Sequence, residues 1–147
     1  MTTPAHDQNI THHYMMHYPE HEPRTNDPHY KDFNHYRRTT AATAKCQFGL
    51  DRDNDFSECG PINPNLWPQG LELHHGHIEF ALLNGVDLSL LEGKYPGISD
   101  PNQLGAWIES AENLMWLCEF HHRGTGGVHS ATASDYENEH YVRHLIS

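Results

Sequence analysis

Most of the apolar residues of this chain lie after Leu66, and that imbalance limits what it can fold into. A 147-residue chain arranged this way suits one domain with one modest core in its second half. A core that small often needs a metal or another staple to hold loop-rich structure together. The first residues read as a flexible or wrapping arm over 1–28, because Pro4, Pro19, Pro23 and Pro28 interrupt any regular element. The single domain is then expected over 29–147.

The cysteines suggest what the staple is. There are three, Cys46, Cys59 and Cys118. Residues 1–9 lack the basic start and apolar run of a secretory signal, so a cytoplasmic location is expected. In a reducing compartment an odd number of thiols points to metal binding or plain burial rather than to a disulfide framework. No stretch approaches the ~20 apolar residues needed to cross a bilayer, so no membrane partner is expected.

Coarse patterning gives the order of elements. Residues 30–44 have Phe33, Tyr36 and Arg37 at near-helical spacing, and 51–69 read as loop. Leu71–His75 alternates as a short strand. A short helix is expected over 78–84, stopped by Gly85, and another after Asp87. Asp100 with Pro101 and Gln103 makes a strong helix start, and Leu104, Trp107 and Ile108 share a face. Leu114–Cys118 is a continuous apolar run, most simply a buried strand. Ser134 with Glu137 repeats the capping signature, giving a last helix an apolar side of Tyr141, Val142 and Leu145. Apart from the inserted helices, the order is strand, strand, helix.

Two strings carry chemistry. The first is Glu72-Leu73-His74-His75-Gly76-His77. Neighbouring residues on a strand face opposite ways, so at a strand end one imidazole can ligate a metal while the next accepts a proton. The second runs from Asn113 to His122, where Cys118 and His121 have the two-residue gap of a zinc knuckle and His122 is aimed elsewhere. The bland alternatives are surface histidines on a loop and a lone buried strand thiol. Three histidines in four residues, and a histidine pair at ligand spacing after Cys118, weaken both.

Together, Leu-Glu-Leu-His-His and the later Asn-Leu-Met-Trp-Leu-Cys-x-x-His-His resemble the HNH endonuclease family of phage and bacterial type, over roughly 46–129. The resemblance implies an α+β fold: a small ββα-metal domain with inserted helices and a structural zinc site. It implies His75 as general base, with His77 as an alternative register. His74 and His122 would be ligands of a catalytic divalent metal, Mg, Mn, Ni or Zn, with His129 the nearest candidate for a third. Asn113 would fix the loop that holds the base. Cys118 and His121 match a structural zinc knuckle, completed by Cys46 and perhaps Cys59. The family departs from this chain in usually pairing Cys-x-x-Cys units, whereas twelve residues separate Cys46 from Cys59.

The implied activity is hydrolysis of nucleic-acid phosphodiester bonds, with double-stranded DNA the expected substrate and a bacterial or phage-infected host cell the expected setting. Arg123 beside His122, and Arg37 and Arg38, are the substrate-binding candidates. The net charge of −11 sets a limit on this reading, because many phosphate contacts need a basic face. Weak, poorly sequence-selective binding to free DNA, with dependence on a protein partner or on target geometry, is therefore expected. The competing reading is a non-catalytic zinc module of the same fold. It accounts for the thiols but not for the convergence of His74, His75 and His122. A metal buffer would suit only the seven histidines scattered through the first 35 residues.

Overall fold

The computed structural model describes residues 4–7, 18–61, 65 and 70–146. Part of the expected arm, at 1–3 and 8–17, lies outside the described residues, as do 62–64 and 66–69 of the expected loop. The architecture is a small α+β fold around a two-stranded antiparallel sheet. Among the described residues no helix is long and apolar enough to cross a membrane.

The strands are β1 (Leu71–His75) and β2 (Leu114–Cys118), with Leu71 opposite Cys118 and His75 opposite Leu114. Strand β2 is apolar throughout because Leu114, Trp116, Leu117 and Cys118 are all buried. The described residues also form six α-helices: α1 (Tyr30–Thr40), α2 (Gln47–Asp51), α3 (Leu88–Lys94), α4 (Pro101–Ile108), α5 (Glu119–His122) and α6 (Ala133–Glu139). The order β1, inserted helices, β2, α5 follows the expected one.

The interior differs from the single second-half core expected from patterning. Among the described residues there are two clusters. One joins Leu71, Trp116 and Leu117 of the sheet to Cys46, Phe48 and Cys59 from the first half. The other belongs to the insert and gathers Phe80, Leu91, Ile98, Leu104, Trp107 and Ile108. The thiols explain the first-half contribution, since Cys46 and Cys59 carry their neighbours onto the end of β2. Thr40 pins α1 to the sheet, its hydroxyl accepting from Trp116 Nε1 at 2.9 Å and donating to the Tyr36 carbonyl at 2.7 Å.

Local starts and stops follow side-chain chemistry. Asp87 accepts from the Ser89 and Leu90 amides to open α3, and Asp100 accepts from the Gln103 amide to open α4 with Pro101 in its first turn. Gln103 reaches back to Ser99 rather than to its own cap. The expected helix over 78–84 is a 3-10 turn, Phe80–Gly85. Helix α1 ends at Thr40, before a 3-10 turn at Ala41–Thr43, short of the expected 44. Helix α6 starts from Thr132, not Ser134, because the Thr132 hydroxyl accepts from the Asp135 amide at 3.1 Å. It also stops at Glu139. Tyr141 and Val142 therefore lie outside it, 75% and 48% exposed, and the expected apolar side is not buried.

Candidate metal centres and a buried histidine–glutamate pair

The knuckle is built where β2 passes into α5. Cys118 caps α5, its sulfur accepting from the His121 amide at 3.4 Å. His121 then turns Nδ1 toward three sulfurs: Cys118 at 3.1 Å, Cys59 at 3.6 Å and Cys46 at 3.7 Å. For tetrahedral coordination with bonds of about 2.3 Å to sulfur and about 2.0–2.1 Å to nitrogen, such pairs sit roughly 3.5 Å apart. All four side chains are buried. A buried Cys3His cluster is thus assembled that can bind a metal such as zinc.

Thiol chemistry agrees with that use. Cys46 is lowered because Cys118 and Cys59 hydrogen-bond to it. Sharing those bonds pushes Cys118 up to about 11 and also raises Cys59. Without a cation only one of three packed thiols is readily charged; a bound cation lets all three act as thiolates.

Carboxylates back the imidazole. Glu58, His121 and Glu139 offer atoms within 4.8 Å of one another. His121 Nε2 and Glu139 Oε2 are both buried without a hydrogen-bond partner, and burial raises the Glu139 carboxyl above its ordinary value. Phe48 stacks on His121 with ring centroids 3.7 Å apart, which fixes the plane of the ring.

The second centre is made by folding α5 back along the β1 face that carries Glu72 and His74. His74, His122 and His129 offer nitrogens within 4.8 Å of one another. The Nε2 atoms of His122 and His129 are 3.1 Å apart, the spacing of two ligands that share one ion with bonds of about 2.1 Å. Burial lowers His74 to about 3 and also lowers His122, so both imidazoles are held neutral, the form that ligates. The first is further lowered by the neighbouring His122, His129 and His75. Glu72 lies 3.4 Å from His122 Nδ1 and 2.9 Å from Arg123. It is placed to orient the ligand ring from behind.

The glycine-rich turn after α5 delivers His129. The His129 amide donates to the His122 carbonyl at 3.1 Å and the Val128 amide to the His121 carbonyl at 3.0 Å. A Cβ at Gly127 would meet the His122 carbonyl carbon and oxygen at 2.7 Å, and backbone cannot yield there. We expect Gly127→Ala to displace His129 and weaken the second centre at least tenfold for its ion while sparing the thiol site. Calorimetric titration with Mn or Ni checks this, and unchanged affinity would remove His129 from the ligand set.

On the other side of the strand end, His75 is buried against Phe33, ring centroids 5.7 Å apart. Its Nε2 lies 3.0 Å from Glu109 Oε2, itself 3.3 Å from Arg24 Nη2. Asn113 locks the following loop. Its Oδ1 accepts from the His77 and Ile78 amides at 2.8 and 2.9 Å, and its Nδ2 donates to the Ile78 and Ile108 carbonyls, each at 2.9 Å. Every hydrogen-bonding position of the amide is used, and the strand end is tied to α4.

The remaining candidates are placed differently. His77 is exposed and packs on Tyr95 and Trp107, outside the three-histidine group. Arg37 and Arg38 lie in the last turn of α1, with Arg37 5.9 Å from the Phe33 ring. Arg123 is exposed and paired with Glu72 beside His122. Sequence reasoning passed over Arg24, Glu109 and Glu139. A Cβ at Gly105 would meet His29 at 2.9 Å, so the residue before α1 lies against α4, whose C-cap is Glu109. No protein-family model, curated protein or solved structure matches the chain.

Proposed function

We propose that the chain is a metal-dependent endonuclease of HNH type, with β1, β2 and α5 forming its ββα-metal unit and DNA its substrate. The observation that carries this reading is the open group of His74, His122 and His129 beside a separately held fourth histidine, His75. Three imidazoles leave positions free for water and phosphate, as a catalytic site needs and a structural site does not. An ion held there, Mg, Mn, Ni or Zn, supplies charge neutralisation at a phosphate oxygen and at the leaving oxygen. His75 accepts the proton of the attacking water. Arg123, beside His122, brings a guanidinium to the phosphate when it exchanges Glu72 for substrate. The Cys46, Cys59, Cys118 and His121 site holds a structural zinc in this reading.

A non-catalytic zinc module is the second reading, and the thiol cluster supports it. That cluster sits within the first core and needs nothing from His74, His122 or His129. Incubation of supercoiled plasmid with a panel of divalent ions, with and without chelator, separates the two. Nicking that needs the ion supports the nuclease; intact DNA and RNA under every ion supports the module. With nine basic against twenty acidic side chains, few phosphate contacts are available. We expect the slope of log affinity against log salt to correspond to about two to four contacts, at about 0.9 per contact. A protein partner would then supply targeting. A steeper slope would reveal a basic face.

A further inference from the structure

We propose that Glu109, braced by Arg24, is the positioning residue that commits Nε2–H of His75 and leaves its Nδ1 lone pair to take the proton from water. This rests on the nuclease reading. The contacts decide which nitrogen is free. Arg24 Nη2 can only donate, so Glu109 Oε2, 3.3 Å away, accepts from it. The same oxygen lies 3.0 Å from His75 Nε2 and accepts there too, which makes Nε2 the protonated nitrogen. Arg24 Nη2 also approaches His75 Nε2 to 3.4 Å, a distance at which two donors merely face the shared oxygen.

The arrangement is costly unless it has a use. The Glu109 side chain is fully buried, and only one of its oxygens is paired. An apolar side chain would fill such a place at lower free energy than a carboxylate that must be desolvated. What the carboxylate adds is orientation and charge. Phe33 stacks on the His75 ring, and the Arg24 guanidinium lies 3.7 Å from the centroid of that same phenyl ring. The imidazole is therefore held in plane by packing and in rotation by Glu109. Arg24 itself belongs to a segment tied to the insert, where Asn84 donates to the Glu20 carbonyl at 2.8 Å. When water attacks phosphorus, the new P–O bond forms as the P–O bond to the leaving oxygen breaks; the water's O–H bond breaks, the N–H bond forms at His75 Nδ1, Glu109 stabilises the resulting imidazolium through Nε2–H, and the departing oxygen takes a proton from solvent water.

The test reads the tautomer directly. Long-range proton–nitrogen correlation spectra of the full-length, zinc-loaded protein, with His75→Gln for assignment, should show Nε2 protonated and Nδ1 bare near neutral pH. Glu109→Ala should mix the tautomers and lower kcat for plasmid cleavage by roughly 10²–10⁴ with KM unchanged. Glu109→Gln keeps an acceptor, so it should restore the tautomer and part of kcat. A protonated Nδ1 in the wild-type protein overturns the proposal, as does wild-type kcat in folded Glu109→Ala. If Glu109→Ala does not fold, the wild-type spectrum and Glu109→Gln decide. Failure of the wild-type protein to cleave under any ion would defeat the nuclease reading instead, and the spectrum separates that outcome from this one.

Discussion

Cys118→Ser is expected to abolish the folded state of the first core at ordinary temperature. Cys118 ends β2, caps α5 through its sulfur and offers a ligand to the four-residue cluster; serine keeps an oxygen that can cap but removes the thiolate that a zinc ion would need. Structural zinc bound by three or four such ligands contributes about 10–16 kcal/mol in isolated zinc-finger peptides, against a total stability of roughly 5–15 kcal/mol for a domain. The metal term is therefore comparable to everything else. Cys46→Ser should act nearly as strongly, because Cys46 is 2% exposed and carries Phe48 into the core. Cys59→Ser should be the mildest of the three, since Cys59 is the most exposed of them at 8%. Elemental analysis of protein purified without added metal, followed by thermal melting with and without chelator, checks all of this. Absence of zinc, or zinc content untouched by Cys46→Ser, would remove the site.

The parts of this architecture that were legible in the sequence are those set by short-range spacing. The alternation of Leu71–His75, the apolar run Leu114–Cys118 and the caps at Asp87 and Asp100 each follow from a few adjacent residues. The ligand candidates fall in the same class: the structure brings Cys118 and His121 together across a two-residue gap and sets His122 on a different centre. Cys59 and His129 were harder, because turns of irregular backbone deliver them. His129 arrives only because glycines let the chain lie against Phe120 and His122.

What the sequence hid were partners far apart along it. Glu109 meets His75 across 34 positions and Arg24 across 85. Nothing local distinguishes these residues from ordinary solvated charge. The last helix misled for the opposite reason. A convincing apolar side at Tyr141 and Val142 was present in the pattern, but the helix ends before it. Hydrogen bonding to Glu139 draws the chain end back instead, with the Ile146 amide donating to Oε1 at 3.1 Å.

His75→Ala and His122→Ala are expected to fail in different ways, and the difference tests the division of labour between adjacent strand faces. His75 has no part in the His74, His122 and His129 group, and its contacts are with Phe33, Glu109 and Arg24. Its loss should lower cleavage by ~10²–10⁴, the usual contribution of a general base, while the divalent ion stays bound. In the proposed reading His122 would supply Nε2 to the ion, with Glu72 3.4 Å from its Nδ1. Its loss should remove cleavage and ion together, because His74 and His129 alone leave too few ligands to hold the ion against water. Both variants should keep the thiol-bound zinc, since Cys46, Cys59, Cys118 and His121 are a separate set. Plasmid cleavage measured beside metal content gives the two readouts. Should His75→Ala cut at the wild-type rate, the base lies elsewhere and His77 becomes the next residue to replace, although its packing on Tyr95 and Trp107 leaves it outside the three-histidine group. Should His122→Ala keep both its ion and its activity, the three-histidine centre is not where the chemistry occurs.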